Sequence, residues 1–157
     1  MTRTTPGTLL LQKLGIAFEL HPYDYDPDAA RIGLAAAEAL GIDPAQTFKT
    51  LMAEVDGKPV CVVVPSDREV SMKKLASCFS GKTAAMLKVP DAERLTGYKV
   101  GGIGPFGQKR KVPTALDETA QLYEAIYINA GQRGLLLSLS PADAVKAAEM
   151  RVVDLCA

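Results

Sequence analysis

A segment rich in glycine and in basic residues, Tyr98–Val112, has the residue types that hold a negatively charged ligand. Four glycines and four cations fall within it, and it contains no acid: Gly101, Gly102, Gly104, Gly107, Lys99, Lys109, Arg110 and Lys111. Glycine lets the backbone come close to a ligand, and successive free N–H groups in a loop attract anionic oxygen. The segment therefore predicts a binding loop for a polar anion, and the alternative is an ordinary basic surface loop.

Two familiar nucleotide motifs are not supported by this segment. Gly102–Gly107 matches G-x-G-x-x-G, but a dinucleotide site needs a helix that begins inside the motif. Pro105 lies in the middle of it, and no amphipathic helix pattern follows. The segment also lacks the Gly-Lys-Ser/Thr ending of a P-loop.

Lys49 is the second candidate for chemistry, because it begins an otherwise apolar strand pattern. By the period of two it shares a face with Leu51, Ala53 and Val55. One interpretation is a lysine that extends from a strand end into solvent. The other is an ammonium group in a pocket, where it donates to a carbonyl or phosphate oxygen.

Nucleophilic and metal chemistry have little support in the sequence. His21 is the only histidine, and no G-x-S-x-G motif accompanies it, so a catalytic triad is not predicted. Cys61, Cys78 and Cys156 are far apart and read as core residues. We expect neither a metal nor a cofactor.

The sequence leaves open the roles of two tyrosines and one arginine. Tyr23 and Tyr25 lie between prolines, where they either cover the core or line a pocket. Arg133 lies in a predicted turn, where it is either solvated or contacts phosphate.

The overall composition restricts the partners and the compartment. The formal net charge of the 157 residues is zero, so a nucleic acid must bind a local patch; neither DNA nor a membrane is expected as a partner. No apolar run approaches the roughly 18 residues of a membrane span, and no signal peptide is apparent. We expect one cytoplasmic domain, residues 1–157.

Capping residues, turns and periodicity together predict an α+β fold. Helices are expected over 31–40 and 90–95, from the Ser71 cap as far as Gly81, and from Pro6 and Pro141 onward; an Asp56-Gly57 turn is expected between two strands. Strands are expected over 16–20, 48–55, 60–64, 83–86, 112–116, 125–129, 135–139 and 151–155. We predict one strongly curved, barrel-like mixed sheet with surrounding helices.

The chain resembles YbaK/EbsC-type aminoacyl-tRNA deacylases, free-standing relatives of the editing domain inserted in bacterial prolyl-tRNA synthetases. Five stretches carry the resemblance, which runs nearly end to end: residues 21–27, 46–51, 71–76, 96–109 and, more loosely, 129–134. The glycine-rich segment Tyr98–Val112 contains most of the fourth and most specific stretch.

The resemblance implies a role for particular residues. It implies that Lys49, Gly101 and Gly102 act at the aminoacyl ester. It implies that the substrate is bound by Tyr23, Thr50, Ile103, Gly104 and Pro105. We expect contacts to the tRNA from Lys109, Arg110, Lys111 and Arg133.

The implied reaction removes cysteine from mischarged Cys-tRNA(Pro), with the cysteine thiol attacking its own ester. The protein then has only to position the ester and stabilise the oxyanion, which agrees with the lack of a catalytic base. Members of this family often have an acid where this chain has Leu136. Two alternatives therefore stay open: removal of another amino acid such as alanine from tRNA(Pro), and a non-catalytic RNA- or protein-binding module. Docking on prolyl-tRNA synthetase is a further expectation.

Overall fold

The computed structural model describes residues 4–157, which form short helices around one mixed sheet. The predicted domain boundary at residue 1 lies outside the described residues. The helices are α1 (Pro6–Lys13), α2 (Ile32–Leu40), α3 (Met72–Cys78), α4 (Val89–Thr96) and α5 (Pro141–Ala148), with a 3₁₀ helix over Glu118–Leu122.

The sheet contains all eight strands of the described chain. They are β1 (Glu19–Pro22), β2 (Thr47–Val55), β3 (Lys58–Pro65), β4 (Ala84–Met86), β5 (Thr114–Asp117), β6 (Ile126–Gln132), β7 (Leu135–Leu139) and β8 (Met150–Val153). Their order is β1-β7-β6-β2-β3-β5-β8, and β4 adds to β2 outside this path. The sheet is curved and mixed, as predicted, but it stays open because β1 and β8 end it without pairing with each other.

Local signals placed most elements correctly. Thr5 caps α1 through a reciprocal pair of bonds with Thr8, and Pro6 begins the helix. Asp56 and Gly57 both have positive φ, 49° and 81°, which is the backbone of the tight turn that joins β2 to β3.

The prediction for the first strand was wrong in its position. It was placed over residues 16–20, whereas β1 runs over Glu19–Pro22. Ile16 instead completes the end of α1, where its N–H donates to the Leu11 carbonyl at 2.9 Å. Gly15 supplies the left-handed turn before it, and Ile16 and Leu11 are both buried. The helix termination therefore uses the apolar residue that the alternation assigned to a strand.

Apolar clusters cover both faces of the sheet. Leu11 of α1 and Ala144 of α5 pack on one face with Phe48 and Met52 of β2. Leu75 of α3 packs on the other face, with the alternate residues of β2 and β3. This alternation puts successive β2 side chains into different surroundings.

The glycine-rich segment connects α4 to β5 and is held at several points. The buried Tyr98 hydroxyl donates to the Phe106 carbonyl at 2.6 Å, so the segment closes on itself. The N–H groups of Lys109 and Arg110 donate to the carbonyls of Thr96 and Leu95 at the end of α4. The segment is therefore a fixed part of the fold.

Candidate active site

The pairing of β2 is interrupted along one edge. β3 follows β2 from Phe48 to Val55, but on the opposite edge β6 pairs only with Thr47 and Phe48. On that same edge β4 pairs only with residues 53–55. Between them, residues 49–52 have no strand partner on this edge, so the middle of β2 faces a gap in the sheet.

A cavity of about 380 Å³ opens at this gap. This volume falls in the range of about 300–1,000 Å³ that is common for small-molecule sites. Its walls come from the start of α2, the middle of β2, the β4–α4 connection and the glycine-rich segment. Tyr23, Ser66, Asn129 and Leu136 complete it.

Lys49 lines this cavity and is only partly solvated. Its side chain is 22% exposed, and its Nζ lies 3.8 Å from Glu69 Oε1. Arg31 approaches the same carboxylate oxygen more closely, at 3.3 Å, and Glu69 itself is 74% exposed. An ion pair this long and this solvated contributes little to stability. Lys49 is therefore held near the cavity without a strong internal partner.

Two hydroxyl groups beside the cavity have no hydrogen-bond partner in residues 4–157. Both Thr50 Oγ1 and Ser66 Oγ are buried, and both residues line the cavity. A buried hydroxyl without a partner costs free energy, roughly 1–3 kcal/mol from mutational data. Buried polar groups without partners are uncommon in native proteins and fit a site that a ligand completes.

Tyr23 and Tyr25 are placed differently with respect to the cavity. Tyr23 lines the cavity, and its burial raises the pKa of its phenol above the ordinary value, so the hydroxyl stays a neutral donor. Tyr25 packs behind Gly101: a Cβ added to Gly101 would lie 2.4 Å from the Tyr25 hydroxyl oxygen. Gly101 itself lines the cavity and has a φ of +91°.

Three other glycines of the segment make room for protein backbone. A Cβ at Gly102 would lie 2.7 Å from the Arg133 nitrogen, and one at Gly104 would lie 2.4 Å from the Asn129 oxygen. At Gly107 it would lie 2.4 Å from the Pro6 oxygen. The Gly102 N–H already donates to the Lys99 carbonyl at 2.8 Å. Of the four glycines that suggested a ligand cradle, the structure brings only Gly101 to the cavity wall.

The ester-binding and substrate-binding residues suggested by the sequence divide into two groups. Tyr23, Lys49, Thr50, Gly101 and Ile103 meet at the cavity, whereas Gly102, Gly104 and Pro105 do not line it. Pro105 is buried and lies instead on a separate depression beside α1 and α5.

The basic residues suggested as tRNA contacts lie away from the cavity wall. Lys109, Arg110 and Lys111 are exposed, and Lys111 forms an ion pair with Glu149. Arg133 donates from Nε to the Val100 carbonyl at 2.8 Å, and its guanidinium lies 5.3 Å from the centre of the Tyr25 ring. These bonds fix Arg133 against the glycine-rich segment.

Several cavity residues were not singled out from the sequence as binding groups. Gly33 lies in an alanine-rich helix and was not selected, although a glycine inside a helix often has a packing or functional reason. A Cβ there would lie 2.8 Å from Ser66 Oγ, so Gly33 lets α2 approach the end of β3. Asn129 bonds Gly101 O and Gly131 N and so ties β6 to the glycine-rich segment. Leu136, noted only as a departure from the family pattern, is a buried part of the cavity wall.

The described residues that line the cavity include no carboxylate, imidazole or thiol. His21 instead bonds Ser138, and its ring lies beside Tyr127. The thiols are elsewhere, and burial raises the pKa of Cys61 to about 12. Within residues 4–157 no group of three or more His, Cys, Asp and Glu side chains could hold a metal, and no helix could cross a membrane. What the cavity offers is hydrogen-bond donors and one cation.

The chain belongs to the aminoacyl-tRNA editing domain family, whose sequence profile matches residues 26–147. The matched region contains Lys49, the gap in β2 and the glycine-rich segment. Family membership therefore rests on the part of the chain that builds most of the cavity.

Individual relatives include a free-standing protein and a domain of a much larger enzyme. EbsC of Enterococcus faecalis, described as a Cys-tRNA(Pro)/Cys-tRNA(Cys) deacylase, is 44% identical over 109 residues, which are 68% of this chain and 66% of EbsC. Proline–tRNA ligase of Caldicellulosiruptor bescii is 40% identical over 68 residues, 43% of this chain and only 12% of the ligase.

The fold also occurs among solved structures. A crystal structure described as a trans-editing enzyme for prolyl-tRNA synthetase superposes with a TM-score of 0.84 over 99% of both chains. At 20% identity this similarity establishes the fold alone.

Proposed function

We propose that the chain is a trans-editing deacylase, and that the cavity at the gap in β2 binds the aminoacyl ester at the 3′ end of a mischarged tRNA. Cys-tRNA(Pro) is the proposed substrate. Membership of the aminoacyl-tRNA editing family and the similarity to EbsC support the reaction class and the substrate.

One observation carries the mechanism: the described residues that line the cavity offer donors but no carboxylate or imidazole to act as a general base. Ester hydrolysis by an activated water usually needs a base, and nucleophilic catalysis needs an activated side chain. Neither is present among the described lining residues. A substrate that supplies its own nucleophile removes both requirements.

In the proposed reaction the thiol of the bound cysteine attacks the carbonyl carbon of its own ester. A sulfur–carbon bond forms, the bond from the carbonyl carbon to the ribose oxygen breaks, and the thiol proton ends on that ribose oxygen. The product is free tRNA and a four-membered thiolactone, which water opens to cysteine. A nearby cation such as the Lys49 ammonium favours the thiolate form of the substrate.

The role of the protein is then to hold the ester and to stabilise the negative charge that develops on its carbonyl oxygen. Lys49 Nζ and the Thr50 hydroxyl are proposed as donors to this oxygen or to the neighbouring phosphate. The Gly101 N–H has no hydrogen-bond acceptor within residues 4–157 and is proposed as a third donor. Fixed donors of this kind cost no reorganisation during the reaction.

The tRNA and the synthetase are the proposed partners. Lys109 and Arg110 are exposed near the end of the glycine-rich segment and could contact RNA phosphates. The net charge of zero suggests weak binding of tRNA by this chain alone, so docking on prolyl-tRNA synthetase is part of the proposal.

Removal of alanine is the second candidate, and Leu136 is the observation that favours it. This apolar side chain lines the cavity, with Phe48, Met52 and Ile103 among the other lining residues. An apolar surface suits a methyl side chain as well as a thiol. Alanine has no nucleophile, so this function would require an ordinary water as the attacking group.

The test is deacylation of Cys-tRNA(Pro), Ala-tRNA(Pro) and Pro-tRNA(Pro) under multiple-turnover conditions. The proposal predicts fastest release from Cys-tRNA(Pro) and little from the correctly charged tRNA. A preference for Ala-tRNA(Pro) would favour the second candidate. Salt-sensitive binding without turnover on any of the three would indicate a non-catalytic module.

A further inference from the structure

The charge of the cavity wall is unusual for a site that receives an amino acid. Its only charged side chain is Lys49, and none of the described lining residues is an acid. An amino acid attached to tRNA carries no free carboxylate, so its α-amino group is its only main-chain charge. The cavity therefore has one cation and would receive a second one.

The acids that contact lining residues are already engaged, and those that follow Tyr23 in the chain lie outside the wall. Glu69 is shared by Lys49 and Arg31 and is mostly solvated. The Glu93 carboxylate accepts the Val100 N–H at 2.9 Å. The acids that follow Tyr23 in the chain are exposed, and they do not line the cavity: Asp24, Asp26 and Asp28.

The neutral polar groups of the wall do not replace an acid, because the unpaired Thr50 and Ser66 hydroxyls carry no negative charge and two other polar side chains are already bonded. The Asn129 amide oxygen accepts from Gly131 N, and its nitrogen donates to Gly101 O. The Thr47 hydroxyl donates to the Asp43 carbonyl at 3.2 Å. Leu136, which pairs with Asn129 in the sheet, contributes only hydrocarbon.

From this arrangement we propose that the site does not recognise the α-amino group as a cation, and that it accepts aminoacyl-tRNA whose amino group is acylated. The inference rests on the proposed function and extends it to a second substrate class, N-acyl-aminoacyl-tRNA. An ammonium group here would lose water without gaining a carboxylate, and Lys49 would repel it. A neutral amine or an amide carries no charge, so it avoids both the cost of burying an unpaired charge and the repulsion by Lys49.

The acylated substrate uses the same bond changes as the free one. Sulfur bonds to the carbonyl carbon, the ribose oxygen leaves with the thiol proton, and the amide nitrogen takes no part. The product of this step is an N-acyl thiolactone, which water opens to the N-acyl cysteine.

The experiment compares Cys-tRNA(Pro) with N-acetyl-Cys-tRNA(Pro), prepared with the thiol protected as a disulfide during acetylation and then reduced. Acetylation also changes the intrinsic lability of the ester, so each enzymatic rate is divided by the spontaneous rate of the same substrate. We expect the two normalised values to agree within about threefold. A site that binds the ammonium through a carboxylate would instead lose about ten- to a hundredfold in normalised rate on acetylation. A loss larger than about tenfold on acetylation overturns the inference.

Variants at Leu136 give a second readout of the same inference. Leu136→Asp places a carboxylate in the wall, and Leu136→Asn is the uncharged control of similar shape. Relative to the asparagine variant, the aspartate variant should gain about tenfold in preference for the free amine over the acetylated substrate. An unchanged preference counts against the inference, and the wild-type comparison decides it if Leu136→Asp fails to fold.

The outcomes separate this inference from the function on which it rests. No turnover of Cys-tRNA(Pro) itself contradicts the proposed deacylase. Turnover of Cys-tRNA(Pro) that is lost on acetylation leaves the deacylase in place and contradicts only the inference.

Discussion

The two halves of β2 have the same backbone conformation but opposite roles. In the second half, Ala53 and Val55 are buried and lie between β3 and β4. In the first half, Lys49 keeps 22% of its side chain exposed and Thr50 has a buried hydroxyl without a partner. The difference follows from strand pairing, because β6 and β4 leave the middle of β2 uncovered. A gap in the sheet thus makes one half of a structural strand the wall of a cavity.

The largest effect is expected in the first half, at Lys49. Lys49→Ala should lower the deacylation rate by about two to three orders of magnitude, because it removes a charge-assisted hydrogen bond of roughly 2–4 kcal/mol in the transition state. Its melting temperature should stay close to that of the wild type, since the Glu69 contact is long and solvated. Lys49→Arg should also have a low deacylation rate, because a planar guanidinium does not replace a compact ammonium.

Lys13 gives a matched control for the loss of one lysine. It is exposed at the end of α1 and does not line the cavity. Lys13→Ala should leave both rate and melting temperature near their wild-type values. If Lys49→Ala turns over at the wild-type rate, Lys49 has no role at the ester.

A smaller effect is expected at Thr50, with activity and stability changing in opposite directions. Thr50→Val removes the unpaired hydroxyl while it keeps the shape of the side chain. Turnover should fall roughly tenfold through the loss of a donor to the substrate. The free energy of unfolding should stay constant or rise by about 1 kcal/mol, because an unsatisfied buried group is removed.

The control for Thr50 is a buried threonine whose hydroxyl is paired. Thr114 Oγ1 in β5 donates to the Val112 carbonyl at 3.0 Å. Thr114→Val should lower the free energy of unfolding by about 1 kcal/mol, since it leaves a carbonyl without its donor. Chemical denaturation measures both variants. Equal destabilisation by the two would mean that the Thr50 hydroxyl has a structural partner.

The smallest effect belongs to the turn that follows the second half of β2. The N–H groups of Thr83 and Lys82 donate to the Asp56 carboxylate and lower its pKa. A depressed pKa in the folded state gives stability that is present above the unfolded pKa of about 3.9 and is lost as the pH falls through the folded value. Asp56→Asn should therefore flatten the acid limb of the stability curve and leave deacylation unchanged. An acid limb identical to that of the wild type would contradict this assignment.

The sequence predicted the helices and the β2–β3 hairpin because their signals are local. Thr5, Ser71 and Ser140 cap the helices that follow them, as their positions indicated. The strand at 16–20 was misplaced because Ile16 is used by the end of α1. The 3₁₀ helix after β5 was missed because it is only five residues long.

The site was only partly predictable because its geometry depends on distant parts of the chain. Residue patterns singled out Lys49, Tyr23 and Gly101, and the family resemblance added Thr50 and Ile103. The structure brings all five together. The gap in β2 is created by β4 and β6, and no local pattern shows where two other strands stop pairing. The need for glycine at position 104 was not predictable either, because it depends on the Asn129 carbonyl, which is distant in sequence and leaves no room for a side chain.

The most direct test of the account compares Cys-tRNA(Pro) with Ser-tRNA(Pro) on the wild-type protein under single-turnover conditions. The two substrates differ by sulfur in place of oxygen, so their fit in the cavity is nearly the same, while a hydroxyl is a far weaker nucleophile than a thiolate. The account predicts rapid release of cysteine and slow release of serine. Equal rates on both tRNAs would show that the protein activates a water for attack, and that the nucleophile does not come from the substrate.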